Sequence, residues 1–421
     1  MRRNRAGAPG APVFLFLAGL AILALVAASG DLAGIASPTP AAAASFSIRI
    51  VGNHFVDQSG RPIMLRGVNR SGTEYECMDD RGFFDGPDDA ASIGAMASWH
   101  INAVRVPLNE DCWLGINGAP AAYSGTPYRD AIQAYVRRLH DAGLYAIVDL
   151  HWGAQGTLPA DGRTGQGRAM ADADHAPAFW HSVAATFRDD RAVLLDLFNE
   201  PHDISWDCWA NGCTVQDATG SWRGAGFQTL LDAVRATGAT NPVLVAGNAW
   251  AGDLRGWPHG LRDSAHQLAA SWHVYSPSTR LDALRDLVVR PIAGTYPVVI
   301  AEVGEKDCAS RWLTGFLRWA DDAGISYLAW TWNTWPDCGN PVLITSYQGA
   351  PTAYGAGYRD HLATLWRDHP APRVLSTIEA DLPLLAVIGG AGLVGLALGG
   401  ALLFTVRRLL RRKSPRRVGT L

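Results

Sequence analysis

Two glutamates each close a short apolar run, in Leu197-Phe198-Asn199-Glu200-Pro201 and in Ile300-Ala301-Glu302-Val303-Gly304. A pair of carboxyl groups is the minimum equipment for opening a glycosidic bond: one protonates the leaving oxygen, the other attacks or activates water. One of the two must then keep its proton near neutral pH, which burial and a neighbouring carboxylate supply. Other apolar runs also end in polar side chains: Arg105, Asp149-Leu150-His151-Trp152, His273-Val274-Tyr275, and the tryptophans Trp330 and Trp332. An Asn directly before an acid can hydrogen-bond a sugar hydroxyl, and an Arg and a Tyr beside a carboxylate hold it ionised and aimed. A lone glutamate at a strand end is more often a salt-bridge partner, as Arg105, His151 and His273 could each be core residues; the paired context favours the chemical reading. Glu305 falls past the apolar run and is not taken as a catalytic acid. His202 is expected near the site without a chemical role.

The runs that carry these residues recur along the chain. Strand candidates are Met64–Asn69, Ala103–Leu108, Tyr145–Trp152, Val193–Glu200, Val243–Ala249, Ala269–Tyr275, Val298–Val303 and Tyr327–Thr331. Between them, helical periodicity runs over Pro87–Trp99, Pro127–Ala142, Ala173–Asp189, Trp222–Thr237, Arg280–Arg290 and Ser310–Ala323, with a last helix from Tyr358 to Arg367. Gly143, Gly238 and Gly324 stand where three of these helices must stop. Eight strands alternating with helices predict a (β/α)8 TIM barrel over residues 46–370, which gathers chemistry at the C-terminal strand ends. Glu200 and Glu302 then face each other across the mouth. A doubly wound open sheet is the runner-up. It would want a Gly-rich turn after the first strand, where only Gly72 stands among Arg70–Cys77.

Taken together, the motifs around Glu200, Glu302, His273-Val274-Tyr275 and Asp149-Leu150-His151 resemble glycoside hydrolase family 5, the cellulase family, over residues 46–368. The resemblance implies a retaining mechanism, with Glu200 as general acid/base and Glu302 as nucleophile. It implies that Arg105 and Tyr275 orient the nucleophile and that Asn199 and His151 contact the sugar where the glycosyl–enzyme forms. His273 would sit near the acid/base. A strand-eight tryptophan would floor that subsite. The pattern points to Trp330, with Trp332 and Trp335 as alternatives, and the stretch Asn333–Cys338 departs from many relatives. The implied substrate is a β-linked glucan cut within the chain. Mannan, a glycolipid and transglycosylation are the alternatives, and a non-catalytic carbohydrate-binding surface protein is the reading from another class. Trp113, Trp206, Trp209 and Trp250 lie on strand-end loops, either lining a sugar cleft or packing. The chemistry calls for no cofactor.

Composition agrees with a folded, exported domain. At 48% hydrophobic and 18% charged residues the chain is not disordered. The net charge of −3 hides an acidic middle: taking out three arginines before residue 31 and seven basic residues after residue 406 leaves −3 − 10 = −13. Such a middle is a poor partner for nucleic acid, which needs a basic footprint. Residues 1–30, with Arg2, Arg3, Arg5 and an apolar run Val13–Ala28, read as a secretory signal or an uncleaved anchor, and residues 31–45 as an Ala/Pro-rich linker. Leu382–Val406 is 25 uncharged residues, long enough to span a bilayer, and the basic tail 407–421 places itself in the cytoplasm with the barrel outside. Ala391, Gly395 and Gly399 form a small-residue stripe compatible with a weak helix-mediated dimer. Six cysteines suit export. Cys77 and Cys112 follow strands one and two, Cys208 and Cys213 share the loop after strand four, and Cys308 and Cys338 follow strands seven and eight. Three local disulfides are expected from that placement. No CxxC and no histidine at ligand spacing suggests a metal site.

Overall fold

The computed structural model describes residues 46–276, 281–336 and 339–368. The expected signal, linker, membrane helix and basic tail lie outside them. Among the described residues no helix is long and apolar enough to cross a membrane.

Eight parallel strands close into a barrel: β1 (Arg66–Asn69), β2 (Ala103–Asn109), β3 (Tyr145–Trp152), β4 (Val193–Asp196), β5 (Val243–Ala246), β6 (Leu268–Ser276), β7 (Val298–Glu305) and β8 (Ser326–Ala329). They neighbour one another in chain order, and β8 pairs β1 to shut the ring. The strands read as continuous apolar runs, Val243-Leu244-Val245-Ala246 for example, because a parallel barrel is covered on both faces. Around them stand α1 (Ala90–Ser98), α2 (Thr126–Asp141), α3 (Ala176–Phe187), α4 (Phe227–Arg235), α5 (Arg311–Asp322) and α6 (Ala353–Asp368), with a helical stretch holding a π turn over residues 281–293. Chain contacts divide the molecule at Asp360; the described part of the second unit is the end of α6. The capping glycines carry φ of +75° at Gly143, +82° at Gly238 and +68° at Gly324, the left-handed turn that stops a helix.

A small antiparallel sheet of Ile48–Val51, His54–Asp57 and Pro62–Ile63 closes the barrel floor. Its Ile48, Ile50 and Phe55 join Leu65, Ile147, Leu194, Val299 and Leu328 in one apolar cluster. The opposite end, where the strands finish, is left for polar side chains.

Several boundaries differ from the sequence reading, and three of them bear on the site or on local packing. β4 stops at Asp196, so Asn199 and Glu200 follow the strand instead of ending it. Residues 222–226 are not helical: Gly220–Gly224 pairs with Cys213–Asp217 as a hairpin, and α4 begins at Phe227. Trp222 has an apolar side chain that suits either structure, and Arg168 from a distant loop lies 4.8 Å over its ring, a contact with no local signature. The last helix begins five residues early, at Ala353, because the Thr352 hydroxyl accepts from the Gly355 amide. Gly355 and Gly357 lower the local helix propensity that the sequence reading relied on.

Of the expected disulfides, Cys77–Cys112 and Cys208–Cys213 are formed. Cys308 is disulfide-bonded, and its expected partner Cys338 lies outside the described residues.

Candidate active site

The site is built around Arg105, fully buried at the centre of β2. Its guanidinium reaches Asp149 Oδ2 at 2.9 Å, Asp196 Oδ2 at 3.0 Å and Glu302 Oε1 at 2.8 Å. It also donates to Asn69 Oδ1 at 3.1 Å and Asn199 Oδ1 at 3.0 Å. Four other strands, β1, β3, β4 and β7, are thereby fixed to one planar donor group, a geometry that suits arginine and not lysine. At Asp196 burial, helped by the neighbouring carboxylates and opposed by the Arg105 charge, pushes the carboxyl up to about 7.

Glu302 lies on β7 with Arg105 on one oxygen and Tyr275 on the other. The Tyr275 hydroxyl donates to Oε2 at 2.6 Å. Burial, and then the Glu302 charge, hold the Tyr275 pKa well above its ordinary value, so the phenol remains a donor. Glu200 is half-buried across the mouth, and its Oε1 contacts His273 Nδ1 at 2.9 Å. Burial raises the Glu200 pKa, opposed by the nearby cationic groups. His273, nearly devoid of solvent, is pushed down to about 4 by burial and stays neutral. A neutral imidazole can give or take a hydrogen bond at Nδ1 as Glu200 loses or regains its proton. Burial works against a charge on His151, but the Asp149 carboxylate at 2.8 Å reverses the balance and raises its pKa. The His151 ring lies parallel to Trp330, 5.6 Å between centres.

His151, Asn199, Glu200, Tyr275, Glu302 and Trp330 line one polar cavity of about 410 Å³. His273 and Arg105 stand behind it, bonded to the two glutamates. The structure thus brings the candidate catalytic and sugar-binding residues Arg105, His151, Asn199, Glu200, His273, Tyr275, Glu302 and Trp330 together. The alternatives for the tryptophan separate clearly: Trp332 is buried against Trp99, and Trp335 donates to Asp85 at 3.0 Å, 6.5 Å from the Trp330 ring. Glu305 accepts the Leu313 amide at the start of α5, a structural role. Among the loop tryptophans, Trp250 lines the cavity and stacks on His202 at 3.5 Å, while Trp113 and Trp209 are core and Trp206 packs on Trp209.

Sequence reasoning missed Trp152, Gln166, Gly167, Lys306, Asn340 and Pro341, which also line the cavity. Trp152 ends the Asp149–Trp152 motif and was within reach of the reading. The others sit on loops whose approach to the mouth is set by the fold.

Glu200, His273 and Glu302 present ligand atoms within 4.8 Å of one another and could in principle hold a metal ion. The Arg105 guanidinium at 2.8 Å from Glu302 makes this a poor cation site, since like charge would stand beside the ion.

The family model for cellulase, glycosyl hydrolase family 5, matches residues 56–335. Among curated proteins, the chain is 26% identical over 317 residues to endoglucanase CelA of Streptomyces lividans, covering 71% of this chain and 58% of that protein. It is 28% identical over 334 residues to endoglucanase 1 of Robillarda sp. strain Y-20, covering 69% and 81%. The chain therefore spans little more than half the length of the first of these relatives. Among solved structures, the β-glucanase SdGluc5_26A of Saccharophagus degradans superposes with a TM-score of 0.57 at 20% identity, covering 76% of this chain and 94% of that one. XacCel5A, solved in complex with cellopentaose, gives 0.55 at 21% identity over 71% and 99%.

Proposed function

Because the chain belongs to glycosyl hydrolase family 5, the cellulase family, we propose that it is a retaining β-glycosidase that cuts O-glycosidic bonds within a β-linked glucan. The observation that carries this reading is the spacing of the two acids: carboxylate oxygens of Glu200 and Glu302 lie within 4.8 Å. Retaining enzymes hold their carboxyl groups about 5–5.5 Å apart, whereas inverting ones leave about 6.5–9.5 Å for a water.

Glu302 is the nucleophile. Its carboxylate attacks the anomeric carbon as the bond to the leaving oxygen breaks, and Glu200 gives that oxygen its proton. Water then enters, gives a proton to Glu200, and its oxygen displaces Glu302 from the sugar. Arg105 and Tyr275 keep the Glu302 oxygens aimed through both steps. His273 keeps Glu200 in place through a bond that tolerates either protonation state. Asn199 and His151 reach the sugar of the covalent intermediate, and Trp330 provides an apolar floor against its face.

A β-glucan is favoured as substrate because the curated relatives are named endoglucanases, and structures of similar fold hold cellotetraose and cellopentaose. For location we propose export through the N-terminal signal and a single C-terminal span, with the barrel outside the cell. This rests on the sequence of residues 1–30 and 382–421.

The test is sugar release by the full chain in detergent from β-1,4-, β-1,3- and β-1,6-glucans, mannan, xylan and a glucosylated lipid, with Glu200→Gln as the blank. The expected result is internal cleavage of one β-glucan that disappears in the blank. Cleavage of mannan or of the lipid alone would replace the substrate, and activity undiminished in Glu200→Gln would overturn the acid/base assignment.

A further inference from the structure

The chain has 36 basic residues, of which only Lys306 and Lys413 are lysines. Lys413 belongs to the basic tail. Lys306 is therefore the lysine of the catalytic domain, in a sequence that otherwise uses arginine for positive charge. It lies four residues beyond Glu302, on the turn that ends β7, and lines the same cavity as Glu200, Glu302 and Tyr275. Its ammonium lies 4.9 Å from the centre of the Tyr275 ring. Against that ring packs Gly304, where an added Cβ would come within 2.6 Å of Tyr275 Cε1. The phenol thus packs closely on the Gly304 backbone and carries a cation over its ring, with its hydroxyl on Glu302.

We infer that Lys306 is a positioning residue, whose ammonium clamps the Tyr275 ring so that its hydroxyl stays on Glu302 and whose charge helps set the pH range over which Glu200 keeps its proton. The inference rests on the retaining reading above. A cation over an aromatic face withdraws electron density and strengthens the phenol as a donor. A compact ammonium can sit over the ring where a longer planar guanidinium would compete with the substrate.

Several charged or titratable groups face Glu200 from the surrounding elements: Arg105 on β2, His151 on β3, His202 after β4, His273 and Tyr275 on β6, and Glu302 on β7. Arg105 is committed to its carboxylates and His273 stays neutral. Lys306 is the exposed cation at the rim, and its charge opposes the effect of burial on Glu200. Removing it leaves burial less opposed, so Glu200 holds its proton to higher pH.

Lys306→Met and Lys306→Arg in the full chain test this on a soluble β-glucan. In Lys306→Met, kcat/KM should fall by roughly 2- to 30-fold, the range expected for losing one cation–π contact, with the loss mainly in kcat. The alkaline limb of the pH profile should move to higher pH, and Lys306→Arg should move it back. A rate loss with an unmoved limb would reduce Lys306 to a structural residue, and an unchanged rate would remove the clamp. A carboxyl 13C titration of Glu200 in wild type and Lys306→Met reads the same charge effect without turnover. Movement there in a chain that cleaves no glucan would overturn the proposed function and keep the electrostatic inference. An unmoved titration in an active enzyme would overturn the inference alone.

Discussion

Glu302 takes donors on both oxygens, Arg105 at 2.8 Å and Tyr275 at 2.6 Å. An amide in its place keeps the shape but has no nucleophilic oxygen, and its NH2 must face either a guanidinium or a phenol that can only lose by the exchange. Glu302→Gln should therefore lower kcat on the order of 10³-fold or more, as removing a covalent nucleophile does. Calorimetric binding of a cello-oligosaccharide should persist, because Trp330, His151 and Asn199 are untouched. A variant with the wild-type rate would show that another group attacks. At this scale the sequence was most readable. Arg105, Asn199, Glu200, His273, Tyr275 and Glu302 lie on or next to strands, and a strand end has only one place to go in a barrel. Lys306, Gln166 and Asn340 were not readable because each hangs from a loop, and only the folded loop says that it meets the mouth.

The loop from β3 to α3 brings Gln166 and Gly167 to the cavity and is held by two devices. Arg168 bonds Gln155 at 2.6 Å and pairs with Asp217 at 2.9 Å on the hairpin that helical periodicity had concealed. Deeper in, Glu110 and Asp172 are both buried, and the Asp172 charge adds to burial in favouring a proton on Glu110. Burial raises both pKa values, that of Glu110 well above the usual range, and raises neighbouring Asp111 to about 6. The sign follows from the direction. A carboxyl group whose folded pKa is raised contributes stability that is fully present below its unfolded value of about 4. That contribution is lost as pH rises toward the folded value. Glu110→Gln keeps a donor for Asp172 without a proton to lose. Its melting temperature should gain on wild type between pH 5 and pH 8, by about 2–4 °C for each kcal/mol recovered in a domain of this size. Parallel melting curves at the two pH values, with a constant gap, would show that the pair holds no extra proton in the folded state.

The barrel as a whole was legible because parallel strands covered on both sides must be apolar along their length, and eight such runs spaced by helical segments leave few other closures. The sequence was less informative where order depends on distant partners, as in the early start of α6 or the extended backbone at Trp222. The ends of the chain pose a different question, since their reading rests on hydropathy and charge alone. Leu382–Val406 offers 25 uncharged residues followed at once by Arg407 and Arg408. About 20 apolar residues suffice to span the hydrocarbon core, and basic flanks remain on the cytoplasmic side. Such a tether would keep the barrel and its cleft at the outer surface, where a polymer too large to enter the cell can reach Glu200 and Glu302. Deleting residues 382–421 should then move glucan-cleaving activity from the membrane pellet to the culture medium, with kcat/KM on a soluble glucan unchanged within about twofold, because Glu200, Glu302 and the other residues named at the cavity all precede residue 382. Activity that stays in the pellet would place the anchor in Val13–Ala28, left uncleaved. Activity trapped inside the cell would overturn the export reading and, with it, the orientation drawn from Arg407 and Arg408.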